Sequence, residues 1–192
     1  TRGRLLSQTT SETVSTETRT QRFRYDAKGR LIGSLDGVGA ATLGAIPTDT
    51  QIAAAIDIYG TRYVYDAADQ LISKTEPNGT DAIGLRTLYY YDSDGQLRYE
   101  INALGEVTEY KFNALEDQTE VVAYGTRIAL ATLPSLIGGA ITAALTTAIS
   151  GITNALLDSR SQLEYNNAGQ VSLFRNPNFQ TTPTQDNYGA IA

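Results

Sequence analysis

The chain has 192 residues, 41% of them hydrophobic and 19% charged, enough to bury a core. Fifteen Lys+Arg against 21 Asp+Glu give a net charge of −6, so no overall positive field exists to hold a phosphate backbone, and nucleic acid is not an expected partner. His, Cys, Met and Trp are all absent, which removes imidazole and thiolate nucleophiles, Cys/His zinc sites, haem ligation and disulfides. Frequent Thr, 12 Tyr and only 4 Phe favour half-buried strands, so the expected class is mainly β. No basic stretch followed by an apolar core and a small-residue cleavage site opens the chain, so a secretory signal is not expected within it.

In chain order, Gly3-Arg4-Leu5-Leu6-Ser7 comes first, and it matches Gly29-Arg30-Leu31-Ile32-Gly33, the second half of a repeated unit. The chain is therefore expected to begin in mid-repeat, as a fragment of a longer array whose neighbours or other copies cover its ends. Residues 8 to 20 are rich in Thr with little large apolar content and read as one exposed or edge strand. The first full unit is Tyr25-Asp26-Ala-Lys-Gly29-Arg-Leu-Ile, and its template is aromatic, Asp or Asn, two variable residues, usually Gly, polar, aliphatic. The Asp or Asn side chain can accept from a backbone N–H two residues on, closing an Asx-turn, and Gly suits the left-handed residue that joins antiparallel strands. Residues 1–36 are thus a partial and a first repeat.

Residues 37–58 form an insertion rich in Ala, Ile, Leu and Gly. Within it 50 to 58, with Ile52 and Ile56, predict a short helix capped by Thr48, Asp49 or Thr50. The template returns in residues 59–125, at Tyr65-Asp66 with Asp69 in the glycine place and at Tyr91-Asp92 with Gly95. Weaker copies follow, Ile101-Asn102 with Gly105 and Phe112-Asn113 with Glu116. Asp tolerates the left-handed region moderately and Glu poorly, which makes the Phe112 copy the least regular turn. Alternation in Thr61 to Tyr65 and Arg86 to Tyr91, with these closely spaced turns, predicts a meander of strands near 86 to 91, 96 to 101, 106 to 112 and 118 to 124.

Residues 126–159 form a second insertion, uncharged from Ile128 to Leu157. Ile137, Ile141, Leu145, Ile149, Ile152 and Leu156 recur at three- and four-residue spacing, one stripe of a single helix. Such a length could span the ~30 Å core of a membrane, but Pro134, Gly138, Gly139, Gly151 and many hydroxyls make it only mildly apolar. The helix is expected to pack on the sheet or against another chain, with a plug or an assembly surface as alternatives. A last unit, Tyr165-Asn166 with Gly169, occupies residues 160–176, and 177–192, with Pro177 and Pro183, read as an irregular tail.

Without imidazole or thiol, paired carboxylates are the main remaining catalytic option. Glu100, Glu106 and Glu109, or Glu116, Asp117 and Glu120, could converge, though solvated strand ends are the plainer reading. Asp92-Ser93-Asp94-Gly95 echoes the opening of a calcium loop but lacks its later ligands. No catalytic residue, cofactor or metal is expected. The candidate interaction surface is Tyr89 and Tyr90 together with the apolar stripe, although repeated tyrosines also read as cross-strand pairs.

The Tyr-Asp-x-x-Gly-Arg-Leu pattern at Tyr25 to Leu31, with its relatives at Tyr65, Tyr91 and Tyr165, resembles the YD repeats of the RHS (rearrangement hotspot) family. The match covers roughly residues 19 to 36, 61 to 125 and 161 to 176. The resemblance implies antiparallel YD-repeat hairpins forming part of a coiled β-sheet shell, with one or two small inserted helices. It implies a non-enzymatic structural segment of a large secreted or surface-exposed bacterial protein, serving encapsulation or assembly of a toxin-like polypeptide. Implied partners are flanking repeats or other copies, and an encapsulated polypeptide. The alternative is an adhesive or self-assembling module that binds glycan, receptor or neighbouring copies. The self-cleaving protease segment that closes many bacterial shells is not recognisable, and nothing after Asn176 looks like a toxin domain.

Overall fold

A computed structural model describes residues 6–11, 18–78, 84–175 and 181–183. The fold is mainly β, with antiparallel strands in chain order and three short helices among the described residues. The chain divides into two compact units, Thr1–Thr87 and Leu88–Ala192.

In the first unit, β1 (Ser7–Ser11), β2 (Thr18–Tyr25), β3 (Leu31–Leu35), β4 (Thr61–Tyr65) and β5 (Leu71–Glu76) pair antiparallel in that order. Residues 8 to 20 are therefore not one strand. They contribute to both arms of the β1–β2 hairpin, and residues 12–17 lie outside the described residues. Between β3 and β4 sit α1 (Gly37–Ala40) and α2 (Asp49–Tyr59). Thr48 caps α2 through a capping box with Gln51, whose N–H donates to Thr48 Oγ1 at 3.3 Å while Gln51 Oε1 accepts from Thr48 N–H at 2.8 Å. The sequence did not announce α1, a single turn capped by Asp36, because four residues carry no readable period. Leu35, Ala40, Ala55 and Ile56 form the core of this unit. α2 can lie this close to the sheet because β3 presents Gly33 to it: a Cβ there would meet Ile56 Cγ2 at 3.0 Å.

The second unit begins within β6 (Leu85–Tyr91) and continues through β7 (Leu97–Ile101), β8 (Val107–Phe112) and β9 (Gln118–Ala123). These strands fall where the spacing of the turns put them. A 3-10 turn (Leu133–Ser135), β10 (Gly139–Ala140) and α3 (Ala143–Ser150) follow, then β11 (Ser159–Tyr165), β12 (Val171–Arg175) and β13 (Thr181–Pro183). β11 pairs with β9, and β10 runs parallel to β6 with Gly139 opposite Tyr90. Part of the expected tail is thus a strand, since β13 pairs with β12. The remainder of that tail lies outside the described residues.

The single long helix expected over the second insertion is not formed. Gly138 and Gly139 hold φ of 81 and 91, which ends any helical path before Ala143, and Gly151 caps α3 at its C-terminal end. The three- and four-residue spacing therefore runs through three different pieces of backbone. Leu145, Ile149 and Ile152 are buried, whereas Ile137, Ile141 and Leu156 are exposed. The buried three join Ile128 and Leu136 against Leu88, Tyr90, Ile101 and Val107 of the sheet. No helix among the described residues is long and apolar enough to cross a membrane.

Candidate functional site

Six hairpin turns share one hydrogen-bond pattern. At Asp26, Asp66, Asp92, Asn102, Asn113 and Asn166 the backbone N–H donates to the carbonyl four residues on at 2.9 to 3.0 Å, and the residue three on donates back to the carbonyl. In five of them Oδ1 accepts from the N–H two residues on at 2.8 to 3.0 Å, and again four residues on at 2.9 to 3.0 Å. Asp26 Oδ1 accepts from Gly29 at 2.8 Å and Arg30 at 2.9 Å. One side-chain oxygen thus organises each reversal, as an Asx-turn does.

In the turns at 26, 102, 113 and 166 the side chain of the fourth residue after the Asx position also meets the Asx side chain. Asn102 and Asn113 donate their amides to the carboxylates of Glu106 (2.6 Å) and Asp117 (3.1 Å), and Asn166 donates to Gln170 Oε1 at 3.1 Å. At Asp26 the partner is Arg30 Nε, which donates to Oδ2 at 2.6 Å. The three Asn turns thus place an acceptor at i+4 and the Asp26 turn a cation, whereas Asp66 and Asp92 are followed at that place by Gln70 and Gln96.

The left-handed position is filled by Gly29, Gly95, Gly105 and Gly169, and by Asp69 (φ 65) and Glu116 (φ 68). Gly105 has a second reason to be glycine: a Cβ there would collide with the carbonyl of Ile128, whose N–H donates to Gly105 O at 2.8 Å. In five of the six turns the residue just before the Asx position, Tyr25, Tyr65, Tyr91, Phe112 or Tyr165, lies where the strand register shifts, as a bulge beside the turn does, whereas Ile101 pairs with Val107 without a shift.

Three of the carboxylates weighed for catalysis, Glu106, Glu109 and Glu120, are engaged by neighbouring side chains, and Lys111 lies 3.9 Å from Glu109 and 2.6 Å from Glu120. Glu106 accepts from Arg127 at 2.6 Å, and the Asn102 and Arg127 hydrogen bonds hold its carboxyl below the usual glutamate range. Glu109 is buried on the covered face of β8, where it accepts from the hydroxyls of Tyr99 (3.2 Å) and Tyr124 (3.0 Å). Burial first, and then the Glu109 charge, push both phenols above their ordinary value. Glu120 takes Lys111 at 2.6 Å and Gln162 at 3.1 Å. Partial burial pushes its carboxyl up, but these partners and Arg160 outweigh it and leave it lowered. Among the described residues no group of three or more Asp or Glu could hold a metal ion.

Of the expected interaction surface, Tyr89 is half-buried and Ile137, Ile141 and Leu156 are 67%, 40% and 94% exposed. Tyr90, at 1% exposure, is not a surface residue: it shares the Leu88 face, which the second insertion covers. Leu145, Ile149 and Ile152 are likewise core. Of the sheet arginines, Arg30 pairs with Asp26 and Asp69 and Arg98 with Asp92 at 3.5 Å, whereas Arg24 reaches Asp49 at 3.2 Å and Arg62 reaches Asp57 at 3.6 Å in the first insertion.

No protein family model matches the chain, and no curated protein matches it. Among solved structures it is similar to TcdB2-TccC3 without its hypervariable C-terminal region, with 12% identity over 91% of this chain and 10% of that one and a TM-score of 0.34. It is also similar to TcdB2-TccC3-TEV, with 12% identity, 90% and 10% coverage and a TM-score of 0.33. TcdB2-TccC3-Cdc42 follows with 10% identity, 90% and 10% coverage and a TM-score of 0.31. The chain spans about a tenth of the length of these structures.

Proposed function

We propose that this chain is a structural, non-enzymatic segment of a YD-repeat β-shell, part of the wall of a large secreted or surface-exposed bacterial protein that encloses or assembles with a toxin-like polypeptide. The observation that carries the reading is the repetition of one Asx-turn geometry at six hairpins in chain order. A sheet extended by identical reversals grows by adding units, each contacting its neighbours, which is the construction principle of an array rather than of a catalytic pocket. The polypeptide encoded by the complete reading frame tests this. Electron microscopy is expected to show a hollow particle, and deletion of residues 18–175 to make the enclosed segment protease-sensitive. A particle without a lumen, or protease sensitivity unchanged by the deletion, would overturn the reading.

A second reading is favoured by Ile137, Ile141 and Leu156, large aliphatic side chains left exposed on an uncharged insertion. Here the chain is an adhesive module that binds a glycan, a receptor or another copy. Tyr89→Ala or Leu156→Ser, each expected to leave the fold intact, would abolish retention on a glycan array or on cell envelopes. Retention equal to that of the unaltered chain would remove this alternative.

A further inference from the structure

We propose that Lys28, Arg30 and Asp69, with the backbone carbonyl of Asp66, form an ionic latch that sets the register between the first and second YD hairpins, across the insertion that separates them. β2–β3 and β4–β5 each close on a tight Asx-turn, which by itself fixes how the two strands align. β3 and β4 have no such turn, because residues 36–60 with both helices lie between them. Their ladder pairs Gly33 with Arg62 and Ser34 with Thr61, at the insertion end. The β2–β3 and β4–β5 ladders each align four pairs.

At the opposite end of β3 and β4 the two turns are tied together. Arg30 NH1 donates to Asp66 O at 2.9 Å and to Asp69 Oδ1 at 2.7 Å, while its Nε holds Asp26. Lys28 Nζ donates to Asp69 Oδ1 at 2.8 Å and to Ala67 O at 3.4 Å. The guanidinium also lies over the Tyr65 ring, 5.0 Å from its centroid. Asp69 stands in the left-handed position where four of the six turns have Gly, so its carboxylate is bought at a backbone cost that Gly would avoid. A one-residue slip would turn every β4 side chain to the opposite face, and a two-residue slip would carry Asp69 roughly 6.8 Å from Arg30. Both break the latch.

The test uses the full chain and hydrogen exchange read at residues 31–35 and 61–65. Asp69→Asn keeps the shape and tolerates the left-handed backbone but removes the charge. Exchange in both strands is expected to rise on the order of five-fold over the unaltered chain at about 0.01 M salt, and by a smaller factor at about 1 M, where salt weakens the attraction between exposed charges. Glu116→Gly, which relieves the same backbone conformation without touching the latch, is expected to raise the urea midpoint at either salt. Asp69→Gly is expected not to. Equal exchange of Asp69→Asn and the unaltered chain at low salt, or an Asp69→Gly gain equal to that of Glu116→Gly, would overturn the proposal.

Discussion

At Glu116 the backbone holds a φ of 68, a conformation that disfavours a Cβ-bearing residue. Replacing it with Gly should stabilise the chain by about 0.5–1 kcal/mol, less strain outweighing the greater freedom of the unfolded glycine. Urea unfolding measures this. The opposite holds at Gly105, where Ala would meet both a positive φ and the Ile128 carbonyl, and Gly105→Ala should lower the urea midpoint. The turn aspartates also set an acid limit. At Asp26 partial burial pushes the carboxyl up, but hydrogen bonds from Arg30 and Gly29 outweigh it, and at Asp69 the Lys28 hydrogen bond is the largest influence. Both carboxyls end below the ordinary value of 3.8. Their contribution is therefore complete above that value and is lost as pH falls through the depressed ones. Asp69→Asn should flatten the stability profile in that acidic window, and a profile that keeps its slope would show that Asp69 does not contribute there. These turns were legible residue by residue, because an Asx oxygen and a glycine act within five positions of chain.

At the scale of single elements the second insertion separates what spacing shows from what packing selects. Leu145 is fully buried in α3, and Leu145→Ala should cost about 2–5 kcal/mol. Leu156, on the same stripe by spacing, is 94% exposed, and Leu156→Ala should change stability by less than about 0.5 kcal/mol. Thermal or urea unfolding of the two variants distinguishes the observed arrangement from one continuous helix, in which both would be costly. Thr142 caps α3 by accepting from Leu145 N–H at 3.3 Å, and Thr142→Ala should cost roughly 1 kcal/mol. The periodicity misled here because a run of Ala, Thr, Gly and Ile supports several local structures. The left-handed glycines at 138 and 139 and the pairing of β10 with β6 choose among them.

For the molecule as a whole, each unit pairs a sheet with an insertion that completes its core. In the second unit five of the nine clustered core residues, Ile128, Leu136, Leu145, Ile149 and Ile152, come from the insertion. At ~1.5–3 kcal/mol for each buried side chain, they supply on the order of 10 kcal/mol, comparable with the whole stability of a domain. Replacing residues 126–157 with a short turn should therefore abolish the cooperative unfolding of this unit and raise binding of a hydrophobic dye. A retained sharp transition would show that the strands hold together uncovered. By itself the sequence determined the mainly β class, the places where the chain reverses and the strands between them, because Asx hydrogen bonds, glycine and two-residue alternation are local. Tertiary structure alone decided which face of each strand is covered, that Tyr90 is core while Tyr89 stays half-buried, and that Asp69 meets Lys28 and Arg30. Those outcomes depend on where distant segments return to the sheet, and no short window of residues carries that information.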